Sequence, residues 1–264
     1  MKNLLLLKIG GGVITDKSTH YGLREDVLER LVGEIATARK ELRNADIIIG
    51  NGAGSFAHVS AAKYRTAEGF VNDESRIGLG WVRLDAVKLN QIVLEQFLSA
   101  NVPVFSFSPS SFTVVNNGKT TKLFLQPMID ALEKGLVPIV YGDPIIDEKR
   151  GCGIFSTERV FDDLAKAFIK TRMVRVIHIS AEDGVYKKGQ ASVFEKITAN
   201  NFSEVKRHLG GSKGIDVTGG MLHKVQECLG IAKFGICSEI ISGLVPGRVR
   251  AAVLGQTVVG TTIC

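Results

Sequence analysis

The stretch Ile47-Ile48-Ile49-Gly50-Asn51-Gly52-Ala53-Gly54-Ser55-Phe56-Ala57-His58 decides how the chain is read. Three consecutive isoleucines predict a buried strand, because β-branched side chains suit a pleated surface packed on both faces. The glycines that follow allow a sharp turn and let a ligand approach the main-chain N–H groups. A helix is expected from about Ser55, with His58 in its first turn. Strand, glycine loop and helix N-terminus together favour an anion, through exposed N–H groups and the helix dipole. Three readings stay open at this point. They are a phosphate site, the dinucleotide fingerprint G-x-G-x-x-G/A in Gly52-Ala53-Gly54-Ser55-Phe56-Ala57 with Asp73 or Glu74 about 20 residues on, and a plain turn.

Working outward to the N-terminus, Leu4 to Ile9 is a second apolar run, ending in Gly10-Gly11-Gly12. Its one charge, Lys8, is costly in a buried strand unless it faces a cleft or an anion. With Lys17 it offers point charges for a polyphosphate. Arg24 to Arg43 has the apolar period of a helix and joins the two strands as a β-α-β unit. Asp73 to Ala100 is a long helical stretch. Its Trp81 is expected in the core or at an interface.

Farther on, Val102 to Phe107 and Val137 to Tyr141 read as strands, Leu125 to Lys134 as a helix. Thr113 to Thr121 forms a hairpin with its tip at Asn117-Gly118. Tyr141-Gly142-Asp143 ends a strand, and Asp143 is either a turn residue or an acceptor that orients a lysine or Mg²⁺. A second hairpin joins 145–147 to 153–155. Ser156-Thr157 then caps a helix running to about Lys170. Val174 to Ser180 leads into Ala181-Glu182-Asp183-Gly184-Val185-Tyr186. Asp216-Val217-Thr218-Gly219-Gly220-Met221 opens a helix carrying Lys224. Strands at 237–242 and 257–260, with a short helix near 249–254, close the chain.

The bulk properties exclude several classes. The 264 residues are 45% hydrophobic and 23% charged, as in an ordinary globular protein. The net charge of +6 is spread along the chain in pairs, so nucleic acid is not an expected partner. Met1 to Leu7 resembles the start of a leader, but Lys8 interrupts it, and no apolar run reaches the roughly 18 residues of a membrane span. The four cysteines form no C-x-x-C pair and are expected as free thiols in a reducing cytoplasm.

Alternating strands and helices with polar glycine loops after the strands imply an open α/β sheet. Its ligands would gather beyond the carboxyl ends of the strands. Such a cleft, rich in lysines and poor in carboxylates, suits the transfer of phosphate to phosphate, where positioning and charge neutralisation do most of the work.

Lys8-Ile9-Gly10-Gly11-Gly12, Gly52-Ala53-Gly54-Ser55, Asp183-Gly184-Val185-Tyr186 and Thr218-Gly219-Gly220-Met221 with Lys224 resemble, in order and over essentially the whole chain, the amino acid kinase superfamily. Within it, Gly10 to Lys17, Ser55-Phe56-Ala57-His58, Tyr141-Gly142-Asp143 and Asp216 to Met221 are similar to the isopentenyl phosphate kinases, with fosfomycin kinase a close relative. The resemblance implies a single domain over 1–264 with an open αβα sandwich, a mainly parallel central sheet and added β-hairpins. Residues 1–170 would serve the acceptor and 171–264 the nucleotide. It implies ATP and Mg²⁺, with the ion held mainly by ATP phosphates. It also implies a cytoplasmic homodimer, and formation of isopentenyl diphosphate from isopentenyl phosphate in an alternative mevalonate route. Lys8, Lys17, His58 and Lys224 would be catalytic, and Asp143 an orienting residue. Lys8, Gly10, Gly11, Gly12, Gly54, Asp183, Gly184, Tyr186, Gly220 and Lys224 would bind ATP. Ala53, Gly54, His58, Ser156 and Thr157 would hold the acceptor phosphate, and Ile77, Gly80, Leu84, Val87 and Ile154 its apolar tail. Three departures from the family pattern bear on the acceptor: Asn51-Gly52-Ala53-Gly54, Ala57 before His58, and Ser156-Thr157-Glu158, which looks closer to fosfomycin kinase. Thr157 would place a hydroxyl beside the acceptor phosphate.

Overall fold

The computed structural model describes residues 1–16, 18–209 and 220–264. The strands are β1 (Lys2–Ile9), β2 (Ala45–Asn51), β3 (Val104–Ser106), β4 (Thr113–Asn116), β5 (Lys119–Leu123), β6 (Val137–Tyr141), β7 (Asp143–Asp147), β8 (Gly151–Phe155), β9 (Arg172–Ser180), β10 (Lys196–Ile197), β11 (Ser238–Ser242) and β12 (Gly260–Ile263). The helices are α1 (Gly11–Ile14), α2 (Glu25–Glu41), α3 (Gly54–Lys63), α4 (Glu74–Ser99), α5 (Pro109–Phe112), α6 (Gln126–Glu133), α7 (Thr157–Phe168), α8 (Phe202–His208), α9 (Gly220–Ala232) and α10 (Arg248–Val253).

The central sheet has eight strands in the order β10-β12-β11-β9-β1-β2-β6-β3. All its pairings are parallel except β11 with β12. Strands buried on both faces explain the unbroken apolar runs. In β1, Leu5, Leu7 and Ile9 pack on one face with Ile47, Ile49 and α2, while Leu4 and Leu6 pack on the other with Ile48 and α7. A second sheet, β5-β4-β7-β8, carries the two hairpins. Asp147 ties the turns of both hairpins together by accepting from the N–H groups of Asn117 and Gly118 in the first and of Lys149 and Arg150 in the second.

Most expected elements stand within a few residues of their expected ends. The last strand is a correction: it runs over Gly260–Ile263, not 257–260. Thr257-Val258-Val259 and Thr261-Thr262-Ile263 are equally β-branched, and pairing with β11 and β10 selects the second. β10 and α8 were not legible from apolar period at all.

The cysteine expectation is also corrected. Cys237 and Cys264 are joined in a disulfide with a Cα–Cα distance of 4.6 Å, while Cys152 and Cys228 are free and buried. The pair lies 27 residues apart in sequence. It is brought together because Ser238 opposes Ile263 in the antiparallel β11–β12 ladder, so the flanking residues meet one step further out. Among the described residues, no helix is long and apolar enough to cross a membrane.

Candidate active site

The parallel register brings the carboxyl ends of β1, β2, β6 and β9 to one edge. There Lys8 stands between Gly50 of β2 and His178 of β9. Gly50 has a specific reason to be glycine. A Cβ there would come within 2.6 Å of Thr157 Cγ2 and 2.7 Å of the Phe161 ring, so α7 lies directly against the strand. That close approach delivers Glu158, in the first turn of α7, to Lys8.

Lys8 and Glu158 form an ion pair, their side chains only 7% and 17% exposed. Burial alone would raise the carboxyl pKa, yet Lys8 and Lys224 pull it down to about 2. The Glu158 carboxylate is therefore a fixed negative charge between two lysines. Burial, with the same two cations, holds His178 neutral, its pKa lowered to about 3. His178 Nε2 lies 3.3 Å from the sulfur of Cys228, whose thiol burial pushes up to about 12. Lys224, on α9, sits with its Nζ 3.5 Å from Ser180 Oγ.

The two glycine loops are locked to each other. Thr15 Oγ1 donates to Gly11 O at 2.8 Å and accepts from Ser55 N at 3.0 Å. Gly54 has φ +53°, in the left-handed region that favours glycine, and a side chain there would meet Thr15. α3 starts at Gly54 with no side-chain cap, one residue earlier than expected, so His58 falls at the beginning of its second turn and not in its first.

These elements surround a cleft of about 940 Å³. Of the residues expected in the site, Lys8, Gly10, Gly11, Gly12, Ala53, Gly54, His58, Asp143, Ile154, Ser156, Thr157, Gly184, Tyr186, Gly220 and Lys224 line it. Lys17 and the helix opening at 216–219 lie outside the described residues. One end, beside Ala53 and His58, is apolar, with Ala57, Ala61, Val82, Ala86 and Ile154. The other carries Tyr186, Lys188, His208, Leu209, Met221 and Leu222.

Four expectations are corrected by this geometry. First, Ile77 and Leu84 are 68% and 44% exposed, and neither they nor Gly80 nor Val87 lines the cleft. The inward face of α4 instead carries the smaller Val82 and Ala86. Trp81 is on the outer side too, 48% exposed, so it is no core residue.

Second, Asp183 turns away. It pairs with Arg248 of α10, accepts from Tyr186 OH at 3.1 Å, and lines a separate cavity of about 700 Å³.

Third, the side-chain cation beside Asp143 is Arg83, not a lysine. Arg83 Nη1 donates to both carboxylate oxygens at 2.8 and 2.9 Å, and Ser110 N donates at 3.0 Å. Burial still pushes the Asp143 carboxyl above its ordinary value.

Fourth, the hydroxyl of Thr157 is given to Asn51 O at 2.8 Å. Its single proton is committed there and not to an acceptor.

Two roles escaped sequence reading. Glu158 lies 150 residues from Lys8, and only its place after the Ser156 cap hinted at it. The small apolar residues Ala57, Ala61 and Ala86 carry no chemical signal in sequence. Among the described residues, no group of three or more His, Cys, Asp or Glu stands together as a metal site. Glu158 is held by Lys8, Asp143 by Arg83 and Asp183 by Arg248.

Comparison with known proteins bears on the fold and the family. The sequence profile of the amino acid kinase family matches residues 3–242. The isopentenyl phosphate kinase of Methanothermobacter thermautotrophicus is 33% identical over 98% of both chains. That of Methanocaldococcus jannaschii is 30% identical over the same shares. A solved isopentenyl phosphate kinase structure superposes with a TM-score of 0.83 at 30% identity, covering 99% of this chain and 100% of that one. UMP kinase from Ureaplasma parvum, at 13% identity and a TM-score of 0.64, shares the fold.

Proposed function

This chain belongs to the amino acid kinase family, in its isopentenyl phosphate kinase branch, and we propose that it transfers the γ-phosphoryl group of ATP to the phosphate of isopentenyl phosphate. An acceptor phosphate oxygen forms the new bond to the γ-phosphorus as the bond to the ADP oxygen breaks, giving isopentenyl diphosphate and ADP. The observation that carries the reading is the Lys8–Glu158–Lys224 cluster, set at the strand ends between two interlocked glycine loops. An acceptor that is already an anion needs no general base. The protein's task is to align two polyanions and neutralise charge on the moving group.

In this reading Lys8 and Lys224 neutralise the transferring group, with Lys17 as a third cation. Gly10, Gly11, Gly12 and Gly54 border the phosphates, and His58 holds the acceptor phosphate. The apolar end takes the alkenyl tail. Tyr186, Met221 and Leu222 border the nucleotide, which supports an acceptor side over 1–170 and a nucleotide side over 171–264. Mg²⁺ would reside on the nucleotide phosphates, since Glu158 and Asp143 of the cleft are already held by Lys8 and Arg83, and no step is assigned to it here. The exposed apolar row Ile77, Trp81 and Leu84 on α4 supports a homodimer. A cytoplasmic setting belongs to the same reading and meets its test in the state of Cys237 and Cys264. A fosfomycin-like acceptor is not favoured. The relatives are isopentenyl phosphate kinases, and the Thr157 hydroxyl that suggested it is occupied.

The test is ADP release with ATP, with and without isopentenyl phosphate, and identification of the product by ³¹P NMR. Acceptor-dependent turnover with a new diphosphate supports the assignment. ATP hydrolysis indifferent to the acceptor defeats it.

A further inference from the structure

Behind the glycine loop at the end of β2 runs a buried chain of hydrogen bonds that the transfer chemistry does not call for. Thr157 Oγ1 donates to Asn51 O at 2.8 Å, and Gly142 N donates to the same oxygen at 3.2 Å. The Asn51 side chain carries the chain onward. Its Oδ1 accepts from Asn90 Nδ2 at 2.9 Å, and Asn90 Oδ1 accepts from Ser106 Oγ at 2.6 Å. Thr157, Asn51 and Asn90 are all buried.

One residue is thus held from several sides: by α7, by the link between β6 and β7, and by α4 with β3 behind it. Asn51 is not there for backbone freedom, because its φ is not positive. A buried amide demands partners, and a fully satisfied buried network fixes one geometry more firmly than apolar packing does. The residues that follow, Gly52, Ala53 and Gly54, are the ones that line the cleft beside His58. Gly52 N is itself tied to Ile9 O at 2.9 Å, so the loop starts from a fixed peptide at both ends of residue 51.

We infer that Thr157, Asn51 and Asn90 are positioning residues that set the loop 52–54 for the acceptor's phosphate, Thr157 acting through the Asn51 carbonyl and not on the acceptor. The inference rests on reading this end of the cleft as the acceptor-phosphate site. It implies that affinity for a phosphate monoester depends on a hydroxyl donor at 157 that never touches it. Nucleotide affinity, governed from the other side of the cleft, does not.

Thr157→Val removes the donor at nearly constant volume but sets a methyl where the hydroxyl lies 2.8 Å from Asn51 O, so Thr157→Ala, which removes the donor without that contact, is measured beside it and is expected to behave as valine does. Thr157→Ser keeps the donor. Asn90→Ala cuts the chain at a residue that does not line the cleft. The measurements are steady-state kinetics with ATP and isopentenyl phosphate varied separately, calorimetric titration of the ADP-loaded enzyme with inorganic phosphate, and thermal unfolding. Thr157→Val and Asn90→Ala are expected to raise the acceptor KM and weaken phosphate binding at least tenfold, with the ATP KM within threefold. Thr157→Ser is expected to recover most of the wild-type acceptor KM. Unchanged acceptor KM and phosphate affinity in Thr157→Val, an equal rise in both KM values, or a serine variant that behaves like valine would each overturn the inference. If the wild type does not turn over isopentenyl phosphate, the functional reading falls. The phosphate titration then still decides: equal affinity in wild type and Thr157→Val removes the positioning role.

Discussion

Glu158 closes on Lys8 across the end of β1, in a place where neither charge has much water. Removing Lys8 leaves Glu158 buried with only Lys224 to offset it, and breaking a buried pair typically costs about 3–5 kcal/mol of stability. Lys8→Ala is therefore expected to lose both turnover and stability. Lys8→Met combined with Glu158→Gln removes both charges. That double variant is expected to regain most of the thermal stability while kcat stays down by at least about 100-fold, the scale of one lost charge stabiliser. Lys224→Ala is expected to lower kcat with a smaller change in melting temperature. Near-wild-type turnover in any of these variants contradicts the role given to the cluster.

His178 makes stability depend on pH. Its folded pKa, about 3, lies below its ordinary value of 6.5. Between those values the unfolded chain binds a proton that the folded chain refuses, so stability rises with pH there. The contribution is fully present above about pH 6.5 and is lost as pH falls toward 3. Glu158, depressed from 4.5 to about 2, adds a loss of the same sign over the lower part of that range. Melting temperature is expected to fall steadily on acidification from pH 6.5, and His178→Gln is expected to flatten the slope between pH 6.5 and 4.5. An identical pH profile in the variant shows that His178 is not buried neutral.

Thiol counting tests the bridge at the end of β11 and β12. With Cys237 and Cys264 joined and Cys152 and Cys228 buried, few thiols should react in the native protein. Denaturation without reductant is expected to expose two, and prior reduction four. Protein trapped with a thiol-blocking reagent at cell lysis reports the state in the cell. Four blockable thiols at that point would mean that the bridge is absent where the protein works.

The sheet was legible because β1, β2, β6 and β9 are apolar runs closed by glycine or polar residues, a pattern set by burial on both faces. The lysines and glycine loops were legible because a charge beside glycines at a strand end has few structural uses. What was not legible depends on distance in sequence. Glu158 reaches Lys8 only because Gly50 admits α7, and Arg248 takes Asp183 from 65 residues away. The faces of α4 misled for another reason. Its bulky Ile77, Trp81 and Leu84 point outward, while Val82 and Ala86 face the cleft, so side-chain size ran opposite to burial.

The small side chains at the apolar end yield a prediction of their own. Ala61 lines the cleft one turn beyond Ala57 on α3, and the two alanines leave room beside His58 at the apolar end. Ala61→Leu fills space that an alkenyl tail would otherwise occupy, each buried CH₂ of that tail being worth about 0.8 kcal/mol. The acceptor kcat/KM is expected to fall at least tenfold, with the ATP KM within threefold. An unchanged acceptor kcat/KM would place the tail elsewhere.

His58 offers the most direct test of which anion the cleft recognises. It lines the cleft one turn into α3, a helix whose N-terminus has no side-chain cap and is formed by the glycine loop. Neutral imidazole can donate one hydrogen bond, whereas imidazolium donates from both nitrogens and brings a positive charge. His58→Gln keeps one donor and is expected to retain part of the activity. His58→Ala is expected to lower the acceptor kcat/KM by at least about 100-fold, with the ATP KM changed much less. The measurement is kinetics of both variants with isopentenyl phosphate and ATP varied separately. An acceptor kcat/KM within about threefold of wild type in His58→Ala, less than about 0.7 kcal/mol on the barrier, rules out the contact.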